Sequence, residues 1–319
     1  MTSLPITSEP FYIKITDVAP CWAIGTTGGG TDLSKAVKVT NMRDFQAAVK
    51  GNNAKIVLVD PGTYDGFLEP GANTTIIGTK PGVMISGGIK INGEGIQNII
   101  IRNLAVRCKQ VHGTTDGNAT GDDAISIKEG PHHIWIDHVD VSDGQDGNLD
   151  ITNRSDYVTC SWCKFYYTYD KEHSFSNLIN GSDANADPPS FEKVHVTYMN
   201  CMWGERVFSR QPRGSYAYVH MINNYHKNTG HLHGVGNDMS IIAEKCYYDV
   251  PNEEVFFSMG THIGWKGIGN EGSAKGMNNT EGKVFVVPYT YKSTSASVAR
   301  DLIMSSKSGA GNKCYLKMK

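Results

Sequence analysis

The sequence lacks most of the features that would fix its class at once. No apolar run approaches the roughly 20 residues that a membrane-crossing helix needs. Charge of one sign is missing too: 30 Lys and Arg stand against 32 Asp and Glu, so neither nucleic acid nor a membrane surface is indicated as a partner. The first residues, Met1-Thr2-Ser3-Leu4-Pro5, do not have the charged-then-apolar layout of an export signal. That leaves a cytoplasmic protein or one whose signal has been removed. Helical periodicity is scarce. Leucine follows no fixed interval, which argues against a leucine-rich repeat. No loop has the ligand spacing of an EF-hand.

What is present is glycine, 35 residues of it, and short runs of Val, Ile and Tyr broken by Gly, Asn and Asp. One segment, Met42 to Lys50, has helical spacing, with Asn41 as its N-cap. Elsewhere a pattern repeats, beginning at Asn98, His133, Tyr157, Val194, Tyr218 and Met239. Aligning Asn103, His138, Trp162, Met199, Ile222 and Lys245 gives a period of about 23 residues with two insertions of about a dozen. Such units bury their apolar faces only by stacking. Short strands, tight turns and no helix per repeat predict an all-β parallel β-helix, one domain over 1–319, with the helix near residue 45 capping its N-terminal end. The insertions flank Asp146 to Thr168 and are expected to emerge as loops at a binding face. The stretch Lys266 to Ser308 is expected to pack over the coils as irregular structure. Aromatic residues are expected inside or along the coils, and none is assigned to a sugar site.

Seven cysteines, an odd number, leave at least one thiol free or bonded between chains. Cys160 and Cys163 have C-x-x-C spacing, but their flanks read as strand, which favours buried structural thiols over a redox or zinc pair. Cys21 and Cys314, near opposite ends of the chain, form a candidate pair.

Two constellations can carry chemistry. Asp123, Asp146 and Asp150 fall on consecutive coils, which lie about 4.8 Å apart. Carboxylates so placed can converge on one calcium ion, which takes six to eight oxygens. The alternative is a set of turn-capping aspartates, and local sequence does not separate the two. The second is basic, Glu205 to Gly214, containing Arg206, Arg210 and Arg213. An arginine fork suits a polyanion's carboxylates; ordinary surface pairing, for instance Glu205 with Arg206, is the competing account. Lys171 and His173 lie in the second insertion, where a polar-loop Lys or His is ordinarily just solvated; Lys171 is carried forward as a substrate contact.

These segments resemble the pectate lyase family, polysaccharide lyase family 1, over roughly residues 23–224. Gly25-Thr26-Thr27-Gly28-Gly29-Gly30 is similar to the family's opening. Trp135-Ile136-Asp137-His138 matches its W-I/V-D-H signature. Asp146-Gly147-Asn148-Leu149-Asp150 resembles its calcium strand, and Asp123 a further calcium ligand. Asn177 to Asp183 is similar to its L-I-G-x-S-D stretch, with Asn180 extra. Arg210-Gln211-Pro212-Arg213, followed by His220 and Asn223-Asn224, resembles its third signature. The resemblance implies a right-handed β-helix and a secreted, monomeric, calcium-dependent lyase of polygalacturonate. It implies β-elimination with Arg210 as the base, Asp123, Asp146 and Asp150 as metal ligands, and Arg213 and Lys171 on the substrate. One departure stands out: Ser215 occupies the place of a second family arginine. The competing expectations are a non-catalytic β-helix that binds acidic polysaccharide, and a pectin lyase of methylated substrate that ignores chelators.

Overall fold

The computed structural model describes residues 10–109, 122–181 and 193–318. Gly121, Ser182 and Asp183, together with the first five residues, lie outside these. The chain winds as a right-handed parallel β-helix with three sheets running along its length. The first contains Lys55–Val59, Thr74–Gly78 and the start of Gln97–Arg107 and His132–Ser142, then Asp156–Ser161, Val194–Met199, Ala217–Ile222, Ser240–Glu244 and Gly264–Ile268. The second includes Lys164–Tyr166, Met202–Trp203, Tyr225–Lys227 and Tyr247–Asp249. The third runs from the end of Val83–Asn92 through Ile125–Lys128, Leu149–Thr152, Asn177–Ile179, Arg213–Gly214, His233–Val235 and Phe256–Ser258.

Alternation along each strand decides what lines the interior. One row of the first sheet reads Val57, Ile76, Ile101, Ile136, Cys160, Tyr198, Met221, Ala243, each in register with the next and each buried. A second row is aromatic: Phe165 on Trp203 at 5.2 Å, Trp203 on His226 at 4.7 Å, His226 on Tyr248 at 4.8 Å. Each ring covers the face of its neighbour one coil away, which is the offset stacking that aromatic quadrupoles favour.

The corner between the first and second sheets explains the repeat. Asn103, His138, Trp162, Asn200, Asn223 and Lys245 all have φ between 49° and 55°. Asparagine tolerates this left-handed conformation because its amide satisfies nearby backbone groups. Asn103 Nδ2 donates to the carbonyls of Gly78 and Cys314, at 2.9 and 2.7 Å. The register therefore corrects the sequence alignment by one residue at two coils. Asn200 and Asn223, not Met199 and Ile222, belong with Asn103 and His138. Both strands end in an apolar residue beside the corner, and hydropathy alone does not distinguish them.

The helix Met42–Val49 forms as expected, with the Asn41 side chain accepting from the Asp44 amide at 3.0 Å. Phe45 and Val49 are buried against Val39, Tyr64 and Leu68, closing the N-terminal end of the stack. The C-terminal expectation is corrected. A strand, Thr280–Gly282, pairs antiparallel with Gly264–Ile268, and a helix spans Ala296–Met304. Its Ile303 packs with Met202, Tyr225 and Ala310. Between these, Phe285, Tyr289 and Tyr291 pack over the first sheet without regular structure. All seven cysteines are buried and free, so the Cys21–Cys314 pair does not form. Cys163 Sγ lies 3.5 Å from the Ile136 carbonyl oxygen, which suits a structural thiol. Among the described residues no helix is long and apolar enough to cross a membrane.

Candidate active site

Leu149 and Ile151 point into the core with no exposure, so Asp150 between them faces outward on the third sheet. Asp150 stands in register with Ser126 and Leu178, and Leu178 with Arg213. Asp150 and Arg213 thus share one row two coils apart, on the order of 10 Å. Asp123 and Asp146 precede the strands that begin at Ile125 and Leu149. Asp122, Asp123, Asp146 and Asp150, with Lys90 and Lys128, line a cleft of about 370 Å³.

The acids are poorly satisfied by the protein itself. Asp123 Oδ1 is buried without a hydrogen-bond partner. Burial, and then the neighbouring Asp150 and Asp146 carboxylates, push the Asp123 carboxyl far above its usual range. Burial likewise raises Asp150, against the opposing pull of Arg210; its Oδ1 accepts one bond from the Leu178 amide at 3.1 Å. Gly147 lies beneath both. A Cβ at that position would stand 2.8 Å from Asp150 Oδ1 and 3.1 Å from Asp123 Oδ1. The glycine leaves room where two carboxylates converge.

Asp146 is turned aside: its Oδ1 stands 2.8 Å from His173 Nε2. Among the described residues no three His, Cys, Asp or Glu side chains form a ready cluster for a metal ion. The set still fits a hard cation in chemistry. It is all oxygen, it is acidic, one of its buried atoms has no partner, and it surrounds an emptied Cβ position. Lys171 does not reach into the cleft's centre. Its ammonium donates to the Gly144 and Gln145 carbonyls, both at 2.7 Å, and burial lowers its pKa to about 8.

Arg210 sits two coils on. Its backbone has φ 62°, a left-handed conformation costly for a residue that carries a Cβ, and its carbonyl accepts from the Asn177 amide at 2.7 Å. Its guanidinium carbon lies 4.5 Å over the Phe175 ring, and its Nε is buried with no hydrogen-bond partner. Arg213 is half-buried; burial and then the nearby Arg210 charge lower its pKa. Arg206 is diverted, with Nε 2.8 Å from Asp170 Oδ1. Ser215 is 2 % exposed with its amide bonded to the Ile179 carbonyl, so Arg213 is the arginine this strand offers to the outer face.

The structure therefore groups Asp123, Asp146, Asp150, Arg210 and Arg213 along one face and leaves Lys171 at its edge. His173, Phe175 and Gly147 join the group without having been assigned a role from sequence. The only available signal was their place in the row, which becomes visible once the register is known.

Stacked carboxylates two coils from a pair of arginines, on the outside of a β-helix, suit a surface that meets acidic chains, with or without a bridging cation. Comparison with known proteins makes this specific. A family model described as pectate lyase matches residues 16–313. Pectate lyase A of Dickeya chrysanthemi is 31% identical over 275 residues, covering 71% of this chain and 68% of the relative. Pectate lyase E of the same organism is 32% identical over 303 residues, covering 79% and 76%. Among solved structures, a thermostable pectate lyase, PL 47, superposes with a TM-score of 0.71 at 22% identity over 92% of this chain and 97% of that one. A pectate lyase from Bacillus sp. N165, in complex with trigalacturonate, gives 0.66 at 20% identity, covering 92% and 99%. The chain belongs to the pectate lyase family, and it is a polysaccharide lyase.

Proposed function

We propose that this enzyme cleaves α-1,4-polygalacturonate by calcium-dependent β-elimination and leaves a 4,5-unsaturated uronide at the new chain end. The observation that carries the reading is the pair Asp123 and Asp150. They converge over Gly147 with one oxygen unpartnered, Asp150 standing two coils from Arg210 and Arg213 and Asp123 three. Asp123, Asp146 and Asp150 would hold the cation. When bound, calcium would neutralise the substrate carboxylate and the negative charge that grows beside C5.

The protein's own groups do the rest. The Leu178 amide orients Asp150, and Phe175 supports the flat face of Arg210. Arg210 removes the C5 proton. The C–H electron pair becomes the C4–C5 double bond, the C4–O bond breaks, and the leaving oxygen is protonated by water. A guanidinium ordinarily keeps its proton near neutrality, so the rate should climb toward alkaline pH. Arg213 binds a substrate carboxylate. Lys171, anchored at the turn before Asp146, is assigned a contact at the cleft's edge. The whole chain works as one domain and as a monomer, secreted because its substrate is too large to enter a cell.

The test is ultraviolet absorbance of the conjugated uronide during incubation with polygalacturonate, with added calcium and with a chelator. A calcium-dependent rise supports the reading. Calcium-dependent binding without product would replace it with a binding module, and a rise that ignores the chelator would remove the three acids from the mechanism.

A further inference from the structure

The corner where the third sheet passes into the first carries a row of outward-facing side chains. His133, Tyr157, His195 and Tyr218 follow one another on successive strands, ring against ring at 4.9, 5.0 and 5.6 Å. The same row then shrinks: Tyr218 stands in register with Ser240, and Ser240 with Gly264. The lost side-chain volume opens a hollow of about 400 Å³ on the later coils, around the corner from the acid cleft. That volume falls within the range of small-ligand sites.

The C-terminal chain walls this hollow. Gly264 pairs with Gly282, and a Cβ at Gly264 would stand 2.2 Å from the Lys283 carbonyl oxygen. Only glycine lets the Lys283 backbone come down beside the step from Ser240 to Gly264. Phe285 lies against Tyr218 at 5.0 Å, and the Lys193 ammonium stands 5.3 Å from the centre of the same tyrosine ring. The Asp238 carboxylate is 3.7 Å from Lys193 and 3.6 Å from His262. Lys283 is exposed and meets no carboxylate among the described residues, so the hollow has positive charge to spare. Ser240 also lines it. This serine is 4% exposed, and its hydroxyl is buried without a hydrogen-bond partner. An unpaired buried hydroxyl costs stability, so packing does not account for it.

Ammonium groups, one carboxylate, a free hydroxyl and an aromatic wall match an acidic sugar. A uronate's carboxylate pairs with ammonium groups, its hydroxyls donate to a carboxylate, and its C–H face packs on a ring. Resting on the lyase reading above for the identity of the polymer, we propose that this hollow is a second binding site for a galacturonate unit, one that needs no calcium. Lys283 and Lys193 hold the uronate carboxylate. Asp238 and Ser240 take its hydroxyls, and Tyr218 and Phe285 take its ring. A chain held there stays near the acid cleft, which raises the local concentration of substrate.

The experiment measures trigalacturonate binding to the whole protein by calorimetry in chelator, where calcium-bridged contacts are silent. It compares the parent with Lys283→Glu, Lys283→Arg and Ser240→Ala. Binding should weaken at least about tenfold in Lys283→Glu and be kept in Lys283→Arg. In Ser240→Ala it should weaken about threefold while Tm stays level or rises, which a purely structural serine would not do. With calcium, KM for long polygalacturonate should rise severalfold in Lys283→Glu at unchanged kcat. No binding by the parent in chelator, or binding unmoved in both Lys283→Glu and Ser240→Ala, would overturn the inference. So would displacement of trigalacturonate by an equal concentration of inorganic phosphate, the mark of an unspecific anion site. Unsaturated product formed without any binding in chelator would overturn it and leave the lyase reading standing. Binding in chelator that Lys283→Glu removes, with no product under any condition, would support the site and overturn the lyase reading.

Discussion

The interior and the third sheet's outer face obey opposite rules. Inside, a row keeps its character from coil to coil: Val57 to Ala243 is apolar or thiol throughout, and Phe165 to Tyr248 is aromatic throughout. Outside, the row Ser126, Asp150, Leu178, Arg213, Gly234 changes chemistry at every step. Repetition is what a stack needs, since each coil is stable only against its neighbours. Chemistry needs the repetition broken, so that a carboxylate and a guanidinium stand on the order of 10 Å apart along one line. The strand pairing is the same in both places; only the residue choice differs.

Damage inside should therefore be structural and large. Trp203→Ala removes the middle of the aromatic stack, where both ring faces are covered and the indole N–H donates to Asn177. It should cost about 3–5 kcal/mol, measured by denaturant unfolding. Damage outside should spare the fold. Gly147→Ala should leave Tm without calcium nearly as it was, yet weaken calcium binding at least about tenfold by calorimetry, because the new Cβ occupies the space between Asp123 and Asp150.

A pH comparison sharpens the contrast. The Asp123 and Asp150 carboxyls are raised in the fold, so ionising them costs stability as pH rises above the ordinary carboxylate range. Bound calcium removes that cost. The rise in Tm on adding calcium should therefore be larger at alkaline pH than near pH 5, and an equal rise at both would contradict the assignment. A pair buried between the first sheet's outer face and the N-terminal segment behaves in the other sense. Burial disfavours His138's charge, but Asp137 at 2.9 Å outweighs it and raises the imidazole to about 10. Its contribution is complete below the ordinary imidazole value and is lost as pH climbs from 6.5 toward about 10. A His138→Asn variant should show a flatter decline of Tm over that window; a decline as steep as the parent's would mean the pair is not the cause.

Much of this was legible before any coordinates. The repeat and the capping helix follow from residue order, because a β-helix writes its coils as a period and its turns as Gly, Asn and Asp; the three acids were expected on consecutive coils, whereas Asp146 and Asp150 share one coil and Asp123 lies on the coil before. The one-residue slip at Met199 and Ile222 arose because hydropathy marks the strand, whereas backbone φ marks the corner. The helix Ala296–Met304 went unseen, since its apolar stripe is short and Ser295 provides no side-chain cap. The partnership of Asp146 with His173, and of Arg210 with Phe175, depends on register across an insertion, which sequence spacing does not fix.

In the proposed reaction Arg210 acts on a proton while the aspartates act on a cation. It is tested most directly with Arg210→Ala, by following ultraviolet product formation from polygalacturonate and calcium binding by calorimetry on the same protein. The rate should fall by about 10²–10⁴-fold with calcium binding retained. A variant that still forms product at the parental rate would contradict it.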